Sequence, residues 1–248
     1  MSSWRETLEN AFKDIGDISG FTVFDAGSEG AAARFLAERI GEGRIIGVNI
    51  WIGAYKAVRE RVGNLMNKVV LIKDDMRHMD YLKDSFFDLV VSYATMQSIE
   101  KSTPGGTSAI LHQFYRILKQ NGRLLIVEPI PPHEVKPANE AQELDLKLRQ
   151  ILDRLTPVKE YYNQKQLSEM LMRVGFEETY WKMVSEGEWS SNHEITGETK
   201  GIRNLANEVI QDEKEKEETL RQIREISRQA KRTGLQTPPY YALYARKP

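Results

Sequence analysis

A ligand-holding turn is written into residues 25–30: Asp25, Gly27, Ser28, Glu29 and Gly30 close the apolar run FTVFD and lead into AAARFLAERI, while Asn49 and Ile50 close the next apolar run, RIIGV. A glycine at such a place lets backbone N–H groups approach a ligand at a helix N-terminus. The dinucleotide pattern G-x-G-x-x-G would need glycine at positions 29 and 32, where the chain has Glu29 and Ala32. The stronger objection is electrostatic. A pyrophosphate at that terminus would face the Glu29 carboxylate, and like charges a few ångströms apart repel by about 1 kcal/mol or more even at an effective dielectric of about 20. Nicotinamide dinucleotides are therefore disfavoured, and a phosphate-free ligand escapes the objection.

Side chains for proton transfer are sparse. Of four histidines, His133 in EPIPPHE comes just past the strand-like run GRLLIVEP, beside Glu128 and on the same expected edge as Tyr93. His133 and Tyr93 are the candidate catalytic residues. His112 shares a helix face with Arg116 and Lys119, His78 suits a turn, and His193 falls in a late, separate region. No histidine and carboxylate set has metal-ligand spacing, so no metal is expected. Neither G-x-S-x-G nor G-x-x-x-x-G-K occurs. The absence of cysteine excludes disulfides, thiolate catalysis and cysteine-bound zinc or iron–sulfur clusters. Lysine plus arginine (35) nearly cancels aspartate plus glutamate (36), with both signs interleaved, which disfavours nucleic acid and leaves a small molecule or a protein side chain as partner. No run approaches the roughly 18 apolar residues of a membrane span, so a cytoplasmic protein without membrane attachment is expected.

Seven short apolar runs must position these residues: FTVFD, RIIGV, KVVLI, FDLVVSY, GRLLIVEP, EETYWKMVS and the terminal YYALYARKP, the first five alternating with helical patterns. Such alternation predicts a doubly wound, Rossmann-like α/β fold. Its seven-stranded, mostly parallel sheet has helices on both faces and binds ligands beyond the carboxyl ends of the strands. The 248 residues are expected to form a single domain. Trp4, Leu8, Phe12 and Ile15 predict an amphipathic helix within 1–19, read as core packing, with a membrane anchor as the alternative. Residues 131–163, with prolines around a helix carrying Leu144, Leu148, Ile151, Leu152 and Leu155, are expected to form a lid; paired Tyr161 and Tyr162 could line an acceptor pocket. A further helix, QKQLSEMLMRVGF, ends at Gly175. Residues 186–238 form a helical insertion before the last strand, and its charged stretch over 200–232 reads as a solvated helix face, with a homodimer or partner-binding arm as the alternative.

Taken in order and spacing, FDAGSEGAA, GRIIGVNI, IKDDM, DSFFDLVVSY and NGRLLIVEP resemble class I S-adenosylmethionine-dependent methyltransferases over roughly residues 20 to 184 plus the final strand. The resemblance implies S-adenosylmethionine as cofactor, S-adenosylhomocysteine as product, and methyl transfer to a small-molecule acceptor. It implies that Asp25, Gly27 and Ser28, with Glu29 and Gly30, hold the methionine part of the cofactor. Asn49, with Ile50, stands at the ribose position, Asp75 and Met76 flank the adenine, and Ser92 and Tyr93 face the transferable methyl. The chain departs from the family pattern at Glu29 and Ala31, where glycine is usual, and at Asn49, where an acid is usual. Asn49 can accept from one ribose hydroxyl and donate to the other. Glu29 fills the pocket, turns outward, or pairs with the ammonium of the cofactor. The alternative function is a non-catalytic binding or scaffold protein with a degenerate pocket.

Overall fold

The computed structural model describes residues 3–102, 105–156 and 161–248; residues 1–2 of the expected N-terminal helix and 157–160 of the expected lid lie outside them. Seven strands form one sheet: β1 (Thr22–Ala26), β2 (Arg44–Asn49), β3 (Val69–Lys73), β4 (Phe87–Tyr93), β5 (Leu118–Pro129), β6 (Glu177–Ser185) and β9 (Tyr240–Arg246). Their order is β3-β2-β1-β4-β5-β9-β6. β9 pairs antiparallel with both β5 and β6, whereas β1 to β5 pair parallel. The expected α/β fold is therefore present. Its central strands are buried on both faces, which is why they read as continuous apolar runs rather than as an alternation.

Each face carries its own core. Helices α1 (Trp4–Phe12), α2 (Ala31–Arg39) and α3 (Ile52–Val62) supply Leu8, Phe35, Leu36, Val58 and Val62 to one side. α4 (Met96–Ser102), α5 (Gly106–Ile117) and α7 (Gln164–Val174) supply Met96, Ile110, Phe114, Leu167 and Leu171 to the other. The α1 face docks as core packing: Leu8 and Phe12 are buried, Asn10 Nδ2 donates to the Val184 carbonyl at 3.0 Å, and the Tyr244 hydroxyl donates to the Ala11 carbonyl at 2.6 Å.

The expected lid and the expected insertion are one structure. α6 (Glu140–Leu155), α8 (Asn192–Val209) and α9 (Glu213–Thr233) share a third core of Leu144, Leu148, Ile151, Ile195, Ile202, Ile223 and Ile226. A two-stranded ribbon, β7 (Trp189–Ser190) with β8 (Leu235–Gln236), closes its base. The apolar row of the charged arm is thus occupied within the chain: Ile223 and Ile226 are buried, and the ion pairs Arg221–Glu218 and Arg228–Glu225 lie on its outer surface. This helical cap lies against the C-terminal end of the sheet, with Arg61 of α3 3.8 Å from Glu194 of α8.

Candidate functional site

β1 to β4 end together at a cleft of about 240 Å³ lined by Asp25, Gly27, Ser28, Glu29, Asn49, Ile50, Asp75, Met76 and Tyr93. Nine of the expected site residues thus converge from four strand ends. Gly30, Ser92 and His133 do not line it.

The first turn explains its glycines. Gly27 has φ +68°, and a Cβ there would meet Thr95 Oγ1 at 2.7 Å. Thr95 in turn donates to the Ala26 and Tyr93 carbonyls, each at 3.0 Å, and so ties the ends of β1 and β4 together. Gly30 caps α2 in the left-handed region, and Arg61 lies where its side chain would be, with Cδ 2.9 Å from that position. Gly30 therefore serves the seating of Arg61, which lines the cleft. Beneath the turn, Asp25 Oδ2 and Ser28 Oγ are buried without a hydrogen-bond partner. Burial pushes the Asp25 carboxyl up to about 7, the nearby Ser28 hydroxyl opposing the rise and the Glu29 charge adding to it. Glu29 is exposed, but to the cleft it lines; the surrounding protein raises its pKa and Arg61 opposes that rise.

Asn49 is engaged with its own chain. Its Nδ2 donates to the Ser28 carbonyl at 3.2 Å and its Oδ1 accepts from the Trp51 N–H at 2.9 Å. An aspartate could not donate to that carbonyl, so the amide pins the first turn to the end of β2, leaving one N–H and one lone pair for a ligand. Asp75 is likewise held by Arg77, whose Nε lies 3.0 and 2.9 Å from its two oxygens, and this holds the carboxyl below its usual range. Trp51 is exposed beside the cleft, its ring over Gly53.

At the β4 end, Tyr93 donates its hydroxyl hydrogen bond to Glu188 and stacks on Tyr240 with ring centroids 6.0 Å apart. Burial drives the Tyr93 phenol far above its ordinary range, in keeping with its hydroxyl donating to Glu188. Ser92 is fully buried behind it. His133 sits in a short 3₁₀ turn with its side chain 65% exposed and its ring 6.3 Å from that of Tyr161. Its place outside the cleft follows from the turn at Pro131 and Pro132, which carries the chain outward past β5.

Sequence reasoning missed Arg61, Asp74, Arg77, Ala94, Thr95, Ser98, Ile99 and Ile110 as lining residues. One of them leaves a backbone signal: Ala94 holds φ +51°, a strained conformation for a residue with a Cβ, where β4 meets the cleft. Glu128 is fully buried and uses Oε1 to accept from the Thr95 and Met96 N–H groups at 2.6 and 2.8 Å, capping α4; its carboxyl is pushed by burial up to about 7.

Comparison with known proteins fits this geometry. Residues 24–126 match the family model described as a methyltransferase domain. No curated protein matched the chain in a sequence search. Among solved structures, Haemonchus contortus phosphoethanolamine N-methyltransferase 2 in complex with S-adenosyl-L-methionine is similar, with TM-score 0.60, 18% identity, 99% of this chain covered and 53% of that one. A SAM dependent methyltransferase from Archaeoglobus fulgidus gives TM-score 0.57, 19% identity and coverage of 98% and 94%. The [4+2]-cyclase SpnF gives TM-score 0.59, 17% identity and coverage of 99% and 80%. At such identities the structures speak for the fold. The chain thus carries a match to a methyltransferase domain over residues 24–126 and shares the Rossmann-like fold of these methyltransferase structures.

Proposed function

We propose that the protein transfers a methyl group from S-adenosylmethionine to a small-molecule acceptor. The observation that carries this is the acidic first turn: Asp25 with a buried, unpartnered oxygen, and Glu29 open to the same cleft. Two carboxyl groups in one crevice favour a cationic, phosphate-free ligand and oppose a diphosphate. When bound, S-adenosylmethionine supplies an electrophilic methyl on a sulfonium. Asp25, Ser28 and Glu29 would hold its amino-acid part, with backbone approach allowed by Gly27. Asn49 would meet the ribose through its remaining N–H and lone pair, and Asp74, Asp75 and Met76 would flank the adenine. Tyr93 and Ala94 would bound the side from which the acceptor comes. Orientation of the acceptor supplies most of the acceleration in such a displacement, so the chain needs a shaped pocket more than a strong base.

The second reading is a non-catalytic binding protein. It is favoured by one feature, the engagement of Asn49 and Asp75 with their own chain. Calorimetry with S-adenosylmethionine, S-adenosylhomocysteine and NAD separates the two. Micromolar binding of the first two supports the enzyme; binding of none supports the second reading.

A further inference from the structure

Arg61 of α3 stands at the first turn and lines the cleft with a guanidinium that nothing holds tightly. Its stem packs where a Gly30 side chain would be, with Cδ 2.9 Å and Cβ 3.2 Å from that position, so the guanidinium is seated on the same turn that carries Glu29. Arg61 and Glu29 line one cleft, yet no ion pair closes between them. Among the described residues the guanidinium donates no hydrogen bond, and its one anionic partner within 4 Å is Glu194 of α8, at 3.8 Å, the two side chains being 44% and 48% exposed. That separation is longer than a hydrogen bond, and ion pairs so open to water contribute little. Glu194 does not need the pairing. Its Oε2 accepts from the Ser191 N–H and from the Ser191 hydroxyl, both at 2.8 Å, which closes the capping box of α8.

We propose that Arg61 determines specificity for the amino-acid part of the cofactor: its guanidinium takes the α-carboxylate and gives up Glu194 to do so. The inference rests on the methyltransferase reading above and concerns the part of the ligand held at the first turn. An α-amino acid is a zwitterion, with ammonium and carboxylate on one carbon, and the turn offers an acid and a base to the same cleft. Glu29 suits the ammonium. Arg61, whose five N–H donors form a planar fork, suits the carboxylate. The exchange is favourable because a loose ion pair gives way to a charge-assisted, bidentate one, while Glu194 keeps the hydrogen bonds of its own helix. A diphosphate would gain Arg61 but still meet Asp25 and Glu29, so this one cation does not reverse the selectivity against it. Glu194 thereby competes with the cofactor for a single guanidinium, which links occupancy of the cleft to the contact between α3 and the cap.

The test is titration calorimetry on the full chain with S-adenosylmethionine and with its decarboxylated analogue, which keeps the sulfonium and the ammonium and lacks the carboxylate. Arg61→Gln is expected to weaken S-adenosylmethionine about ten-fold and to leave the analogue within about two-fold of wild type. Glu194→Gln retains the capping box, in which glutamine serves as glutamate does, and removes the competing charge. It is expected to tighten S-adenosylmethionine about three-fold and to leave the analogue unchanged. Equal weakening of both ligands by Arg61→Gln, or weakening of neither, would overturn the proposal and leave the methyltransferase reading standing. Unchanged or weaker binding of S-adenosylmethionine by Glu194→Gln would overturn it as well. A wild type that binds neither ligand would overturn the methyltransferase reading, and the proposal with it.

Discussion

The Tyr93 hydroxyl at the end of β4 donates to the Glu188 carboxylate in the loop that leads from the sheet into the cap. One bond thereby joins the cleft at the strand ends to the helical cap. Tyr93→Phe keeps the stacked ring and removes the donor, leaving a half-buried carboxyl group short of one partner. The expected loss is about 1–3 kcal/mol of unfolding free energy in urea, with S-adenosylhomocysteine affinity nearly unchanged. Unchanged stability would show that Glu188 finds water or another donor.

Asn49→Asp would restore the acid usual in the family, but would point a carboxylate at the Ser28 carbonyl that the amide now serves. The variant should lose about 1–2 kcal/mol of stability in denaturant titration, because a made hydrogen bond becomes a repulsion. A more stable variant would contradict the stapling role assigned to the amide.

Asp25 and Glu128 are both raised by burial, from 3.8 and 4.5 to about 7. The folded state therefore binds more protons than the unfolded state between about pH 4 and pH 7, and the stabilising protonated forms are lost as pH rises through about 7. Stability should fall across that window, with a smaller fall in Asp25→Asn, as thermal denaturation at fixed ionic strength would measure. Cofactor binding has the opposite sign at Asp25: a cationic ligand favours the carboxylate, so affinity should rise from pH 6 to pH 8 with release of protons. Equal proton release by wild type and Asp25→Asn would remove Asp25 from the binding step.

The strands were legible because a parallel sheet buried on both sides writes itself as short apolar runs, and FTVFD, FDLVVSY and YYALYAR appear as β1, β4 and β9. Residues at strand ends were legible for the same reason: Asp25, Asn49, Asp75 and Tyr93 stand where the runs stop. Arg61 was not, since it lies in RERV among charges that resemble any solvated helix face, and a glycine thirty-one residues earlier seats it. α8 was obscured by Gly197 and Gly201, poor helix formers overridden by the packing of Ile195, Thr199, Ile202 and Ala206, although Ser191 and Glu194 carry a capping-box signature. Asp145 and Arg149 pair locally, four residues apart on α6, whereas Glu198 comes near them only because α6 and α8 share a core, a proximity that no local pattern encodes.

The central claim is that an acidic first turn selects a cationic, phosphate-free cofactor, and the direct measurement is calorimetry on wild type and Glu29→Gln with S-adenosylmethionine, S-adenosylhomocysteine and NAD. The account predicts micromolar binding of the first two and none of NAD. It also predicts that Glu29→Gln weakens S-adenosylmethionine about five-fold, corresponding to about 1 kcal/mol of charge attraction, and the uncharged-sulfur product less. NAD binding more tightly than S-adenosylmethionine, or a cofactor affinity indifferent to Glu29, would contradict it.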